Sequence, residues 1–152
     1  MSATVGQPAP EFTLPDQDGA AVALSSLRGE WAVVYFYPKD DTPGCTAESC
    51  SFRDSFEDFT DVGARVIGIS GDSVESHKAF AQKHQLPFTL LADIDGEVRK
   101  AWGVGKTLGL LPGRVTYVVD PTGVVRHKFS SQFKPKAHID EALDVIRASS
   151  SA

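Results

Sequence analysis

The chain carries two cysteines, Cys45 and Cys50, five positions apart. A cysteine reacts, or binds a metal, as its thiolate. Two thiols this close cannot make the disulfide framework of a small secreted domain, and in a reducing compartment they suggest redox chemistry or metal binding. The bare spacing C-x4-C decides little, because a free cysteine often serves as a small buried hydrophobe. A zinc site has less support: there is no second cysteine pair, and His77, His84, His127 and His138 show no ligand-type spacing.

The residues ahead of Cys45 say more. Thr42-Pro43-Gly44-Cys45 reads as a helix start, with Thr42 as N-cap and Pro43 at the first helical position. Cys45 then falls in the first turn, where unpaired backbone N–H groups and the helix dipole favour a negative charge. Placed at about 100° per residue, Cys45, Ser49, Phe52, Phe56 and Phe59 fall in one stripe. Cys50, Asp54, Glu57 and Asp61 fall on the opposite side, so Cys45 should face the protein and Cys50 the solvent. Helical positions five apart have Cα atoms roughly 8–9 Å from each other. A disulfide requires about 7 Å or less. An intramolecular bridge therefore demands that the first turns unwind, and oxidation is expected to melt residues 43–50.

The elements that would hold this helix follow from periodicity. Residues 5–24 read as a small N-terminal hairpin, and 31–37 (WAVVYFY) as a buried central strand. A loop leads to a helix over about 43–61. Residues 64–70 form a second buried strand, and 73–84 a helix with Val74 and Phe80 as apolar positions. A short strand near 88–91 precedes a helix around 95–102. Residues 114–120 and 124–130 form a hairpin around Asp120-Pro121-Thr122-Gly123. An amphipathic helix closes the chain over 136–148, with Ile139, Leu143 and Ile146 on its apolar face. This order predicts an α/β fold with a mixed central sheet, helices on both faces and a thioredoxin-like layout.

With 152 residues the chain fits one domain, 1–152, able to bury a normal core. Apolar residues make up 41% and charged residues 23%, as in ordinary globular proteins. A net charge of -5 gives no reason to expect nucleic acid or an anionic membrane as partner. No apolar run approaches the roughly 18 residues of a membrane span. The first residues lack a charged n-region and an apolar h-region, so a cytoplasmic protein is expected; a processed plastid form would start in the same way.

The segment Tyr37-Pro38-Lys39-Asp40-Asp41-Thr42-Pro43-Gly44-Cys45 resembles the active-site loop of peroxiredoxins, with Pro38, Thr42 and Cys45 at the positions of the signature Pro-x3-Thr-x2-Cys. The continuation to Cys50 and Asp54 looks like the peroxiredoxin Q group, also called bacterioferritin comigratory protein. Gly6-x-Pro8-Ala9-Pro10-x-Phe12, Gly68-Ile69-Ser70-x-Asp72 and Leu111-Pro112-Gly113-Arg114 fit the same pattern, so the likeness covers nearly the whole chain.

That resemblance implies a thiol-dependent peroxidase for hydrogen peroxide and organic hydroperoxides. Cys45 would attack the peroxide and become a sulfenic acid. Cys50 would resolve it as an intramolecular disulfide, and thioredoxin or a similar dithiol would reduce that bridge. It further implies Arg114 as the active-site arginine, a supporting role for Glu48 in orienting it, no metal or organic cofactor, and a monomer. An ordinary thiol of pKa about 8.5 is only about 3% ionised at pH 7. Lowering that pKa by about two units takes roughly 2.7 kcal/mol, whereas a helix N-terminus supplies about 0.3–1 kcal/mol. Arg114 is the cation that would provide the rest. Thr42, the backbone N–H groups of Gly44 and Cys45, and Arg114 would grip the peroxide oxygens, while Pro38 shields the sulfur. A thiol–disulfide oxidoreductase would want C-x-x-C, which is missing here, and a non-catalytic binding module would leave Thr42 and Arg114 without a role.

Overall fold

Side chains alternate across the strand Trp31–Phe36, β3, and both of its faces are buried. The computed structural model describes residues 4–37, 39–40, 43–104, 106–107, 111–112, 115–130 and 135–150. In it, β3 is the middle strand of a five-stranded sheet. Its neighbours are β4 (Ala64–Ser70), parallel to it, and β8 (Val115–Val119), antiparallel. The edges are β5 (Thr89–Ala92), parallel to β4, and β9 (Val125–Ser130), antiparallel to β8. The N-terminal hairpin is formed by β1 (Thr13–Pro15) and β2 (Ala21–Ala23). A second small hairpin, β6 (Lys106–Thr107) with β7 (Leu111–Pro112), was not expected from the sequence.

Period-two alternation along β3 gives the protein two cores. Val33, Tyr35 and Tyr37 point into one, with Phe52, Phe59, Phe80, Leu90, Ile139 and Ile146. Those partners come largely from four helices: α1 (Pro43–Asp54), α2 (Phe56–Asp61), α3 (Val74–His84) and α5 (Pro135–Ser150). Ala32, Val34 and Phe36 point into the other core, with Phe12, Leu27, Trp102 and Tyr117. There the cover is thinner: the N-terminal segment, a 3-10 turn at Leu24–Leu27, and α4 (Glu97–Ala101) through Val98. Helices thus lie on both faces, most of them on one. Among the described residues no helix is long and apolar enough to cross a membrane.

The expected helix over 43–61 is interrupted. Ser55, at φ -102° and ψ 10°, separates α1 from α2. Serine competes for backbone hydrogen bonds and is a natural place for such a break. Across it, Phe52 and Phe59 both remain fully buried, whereas Phe56 is only half-buried.

Gly68 on β4 shows how tightly the aromatic core closes on the sheet. A Cβ there would lie 2.7 Å from Tyr35 Cζ and 2.9 Å from Leu90 Cδ2. Both are buried side chains without room to retreat. Gly68→Ala is therefore expected to destabilise the fold by roughly 1–3 kcal/mol, read as a lowered denaturant midpoint at unchanged slope.

Candidate active site

Helix α1 begins at Pro43, so Cys45 occupies its third position, beyond the carboxyl end of the central strand. No acidic residue stands in that first turn to oppose a thiolate. The helix is held from below by β3. Ser49 Oγ and Tyr35 Oη lie 2.9 Å apart in a fully buried hydrogen bond. The Phe52 ring stacks on Tyr35 at 4.5 Å between centroids and 19° between planes. Arg53 Nη1 donates to the His84 carbonyl at 2.8 Å, tying α1 to the end of α3. Cys50 is a half-buried free thiol, less exposed than the solvent-facing position the helical projection gave it, whereas Asp54 one turn on is exposed as projected.

Glu48 departs from the usual place of a helix glutamate. Its side chain is fully buried, and Oε2 lies 3.4 Å from His138 Nδ1 on α5. The same nitrogen is 2.7 Å from Thr116 Oγ1 on β8. A buried carboxylate is tolerated only with such polar company. The three residues join α1, α5 and β8, and Thr116 is two positions beyond Arg114 in the sequence. Pro38, Thr42 and Arg114 themselves lie outside the described residues, and Gly44 and Cys45 are described through the helix that carries them.

A second polar cluster lies where the chain leaves β3, and the sequence reading missed it. Tyr37 Oη donates to Asp40 Oδ1 at 2.6 Å. His77 Nδ1 is 2.7 Å from Asp40 Oδ2, and Ser76 Oγ donates to the same oxygen at 2.9 Å. The backbone N–H of Asp40 donates to Asp72 Oδ2 at 2.7 Å, which also accepts from Ser70 Oγ at 2.6 Å. Burial above all, then the nearby Tyr35 and Asp40, push the Tyr37 phenol well above its ordinary range, so it acts as a neutral donor. Arg99 Nη2 donates to the Tyr37 carbonyl at 2.9 Å.

The fold brings His77 beside Asp40 and Asp72, a neighbourhood that the spacing of the histidines along the chain does not show. Ligand-type atoms of Asp40, Asp72 and His77 lie within 4.8 Å of one another. Their close contacts are hydrogen bonds among themselves and to Tyr37, Ser70 and Ser76. The missed signal was helical spacing: His77 sits three residues before Phe80, on the face that α3 buries.

A cysteine in the first turn of a helix that packs on an aromatic core belongs here to a sequence that has relatives by family. The profile of the AhpC/TSA family matches residues 5–128. A chloroplastic peroxiredoxin Q of Sedum lineare is 57% identical over 146 residues, covering 95% of this chain and 78% of that protein. The chain spans between 66% and 78% of the length of the chloroplastic relatives it matches. Among solved structures, a peroxidoxin BcpB from Mycobacterium tuberculosis superposes with a TM-score of 0.88 at 40% identity, covering 95% of this chain and 96% of that one. A Xanthomonas campestris bacterioferritin comigratory protein, described for its alkyl peroxide reduction, superposes with a TM-score of 0.86 at 33% identity, covering 97% and 99%. The fold and the cysteine-bearing helix agree with what these likenesses require, and the chain belongs to the AhpC/TSA family, in its peroxiredoxin Q group, as a thiol-dependent peroxidase.

Proposed function

We propose that Cys45 is the thiolate that attacks the peroxide and Cys50 the thiol that resolves it, within a single domain spanning residues 1–152. The observation that carries this reading is the placement of Cys45 in the first turn of α1, with Cys50 half-exposed farther along the same helix. The Cys45 thiolate displaces water from hydrogen peroxide, or an alcohol from an organic hydroperoxide, and becomes a sulfenic acid. Cys50 then condenses with it, releasing water and closing an intramolecular disulfide. Thioredoxin or a similar dithiol returns the pair to thiols, itself becoming a disulfide. Arg114 and Thr42 hold the peroxide oxygens, together with the N–H groups of Gly44 and Cys45, and Pro38 shields the sulfur. Glu48 helps orient Arg114, and its burial beside Thr116 supports that role.

Closing the disulfide requires α1 to unwind, since its Cα atoms would stand roughly 8–9 Å apart on an intact helix. The unwinding pulls Glu48 and Ser49 out of their buried positions and breaks the Tyr35–Ser49 bond. We place the protein as a monomer in a reducing compartment. The chloroplastic setting of the plant relatives supports a plastid form.

Cys50→Ser tests the scheme. The first oxidation by hydrogen peroxide should proceed at the wild-type rate, while thioredoxin-linked turnover falls at least about tenfold and over-oxidation to sulfinic acid rises. On oxidation, amides of residues 43–50 should exchange faster in the wild type and stay protected in the variant. Undiminished thioredoxin-linked turnover by the variant would assign the resolving step to another thiol.

A further inference from the structure

Asp40 fixes the segment between β3 and α1 to the body of the fold. It is only 7% exposed, both carboxylate oxygens are engaged by Tyr37, His77 and Ser76, and its backbone N–H is held by Asp72. Three residues on, Pro43 opens α1. Three residues span at most about 10–11 Å, so the position of Asp40 limits where the helix bearing Cys45 can begin.

His77 is what clamps Asp40 from the side of α3. The imidazole is 0% exposed and lies between two acceptors, Asp40 Oδ2 at 2.7 Å and the Leu91 carbonyl of β5 at 3.0 Å. A carbonyl can only accept, so Nε2 carries the proton on that side. Among the described residues, Tyr37, whose Oη is 3.4 Å from Nδ1, and Asp72, within 4.8 Å of the pair, also face the ring.

We propose that His77 is a positioning residue of the peroxidase reaction, acting through Asp40 to set where α1, and with it Cys45, begins. The inference rests on Cys45 being the attacking sulfur. His77 touches neither sulfur nor peroxide; it fixes geometry, and a displacement of about 1 Å at a reacting centre can cost about a hundredfold in rate.

Two amides separate this role from plain helix docking. The side-chain nitrogen of Asn falls near that of imidazole Nδ1, and the nitrogen of Gln near Nε2. His77→Asn therefore keeps the bond to Asp40, and His77→Gln keeps only the one to Leu91. The reduced full-length variants are compared by thermal unfolding and by the rate of the first turnover with hydrogen peroxide. His77→Gln should lower that rate about 10- to 100-fold, and His77→Asn should stay within about threefold of wild type. Equal rates in the two variants, whether normal or equally reduced, overturn the proposal. Should His77→Gln not fold, Asp40→Asn is expected to lose at least about tenfold through the same contact, and a wild-type rate in folded Asp40→Asn overturns it. Where both fold, the His77→Gln/Asp40→Asn double variant should be no slower than the slower single one, and additive losses count against the proposal. Cys45→Ser is run alongside: peroxide consumption persisting there refutes the Cys45 assignment, separately from the role of His77.

Discussion

Cys45→Ser should lower peroxide consumption by about a thousandfold or more, because removing the nucleophile of a covalent mechanism leaves only binding and background chemistry. The hydroxyl keeps the size and polarity of the thiol, so the fold and the helix start are expected to persist. Circular dichroism and unfolding curves should overlay those of the wild type. A peroxide-consumption assay with excess dithiol reads the effect directly. Residual activity of more than about one part in ten would move the attacking sulfur to Cys50. That outcome is hard to reconcile with Cys50 lying farther along the helix, away from the first-turn N–H groups.

Arg114→Met should have the next largest effect. It keeps the length of the side chain and removes its charge. A helix N-terminus supplies about 0.3–1 kcal/mol to an anion, less than the roughly 2.7 kcal/mol that a two-unit fall in thiol pKa represents. In the proposed site Arg114 is the cation that stabilises the thiolate, so its removal is expected to disfavour ionisation of Cys45. The inflection in the pH dependence of Cys45 alkylation should therefore move to higher pH. The rate with hydrogen peroxide should fall about a hundredfold, because the charge that develops on the departing oxygen also loses a donor. Arg114→Lys should recover the pH profile better than the rate, since an ammonium is a point charge without the planar fork. A variant with unchanged inflection and unchanged rate would remove Arg114 from the site.

The architecture was legible because its signals were strong and local. Residues 31–37 and 64–70 are continuous apolar runs of strand length, and they became the two central parallel strands. The turn at Asp120–Gly123 and the apolar positions of α5 fell where periodicity put them. The break at Ser55 was not legible, because the apolar stripe continues across it. Nor was the short pairing of β6 with β7, whose strands are too brief to show alternation.

At the site, the helix that carries the two cysteines could be read from the chain. Glu48, His77 and His138 could not be weighed correctly. Polar residues on a helix are ordinarily solvated, and each of these is buried only because another element brings a partner: α5 for Glu48, the β3–α1 segment for His77, β8 for His138. Such pairings join residues far apart in the chain, and no local pattern announces them.

Tyr35 and Tyr37 leave the central strand on the same side, one pleat repeat apart, and their hydroxyls end on Ser49 and Asp40. That repeat is about 6.6–6.8 Å, set by covalent geometry. The strand therefore works as a ruler: both sides of the crossing from sheet to reactive helix are measured from marks on one stiff bar. Breathing of the outer helices leaves that spacing untouched, and the reduced enzyme can reset to the same dimensions after every cycle.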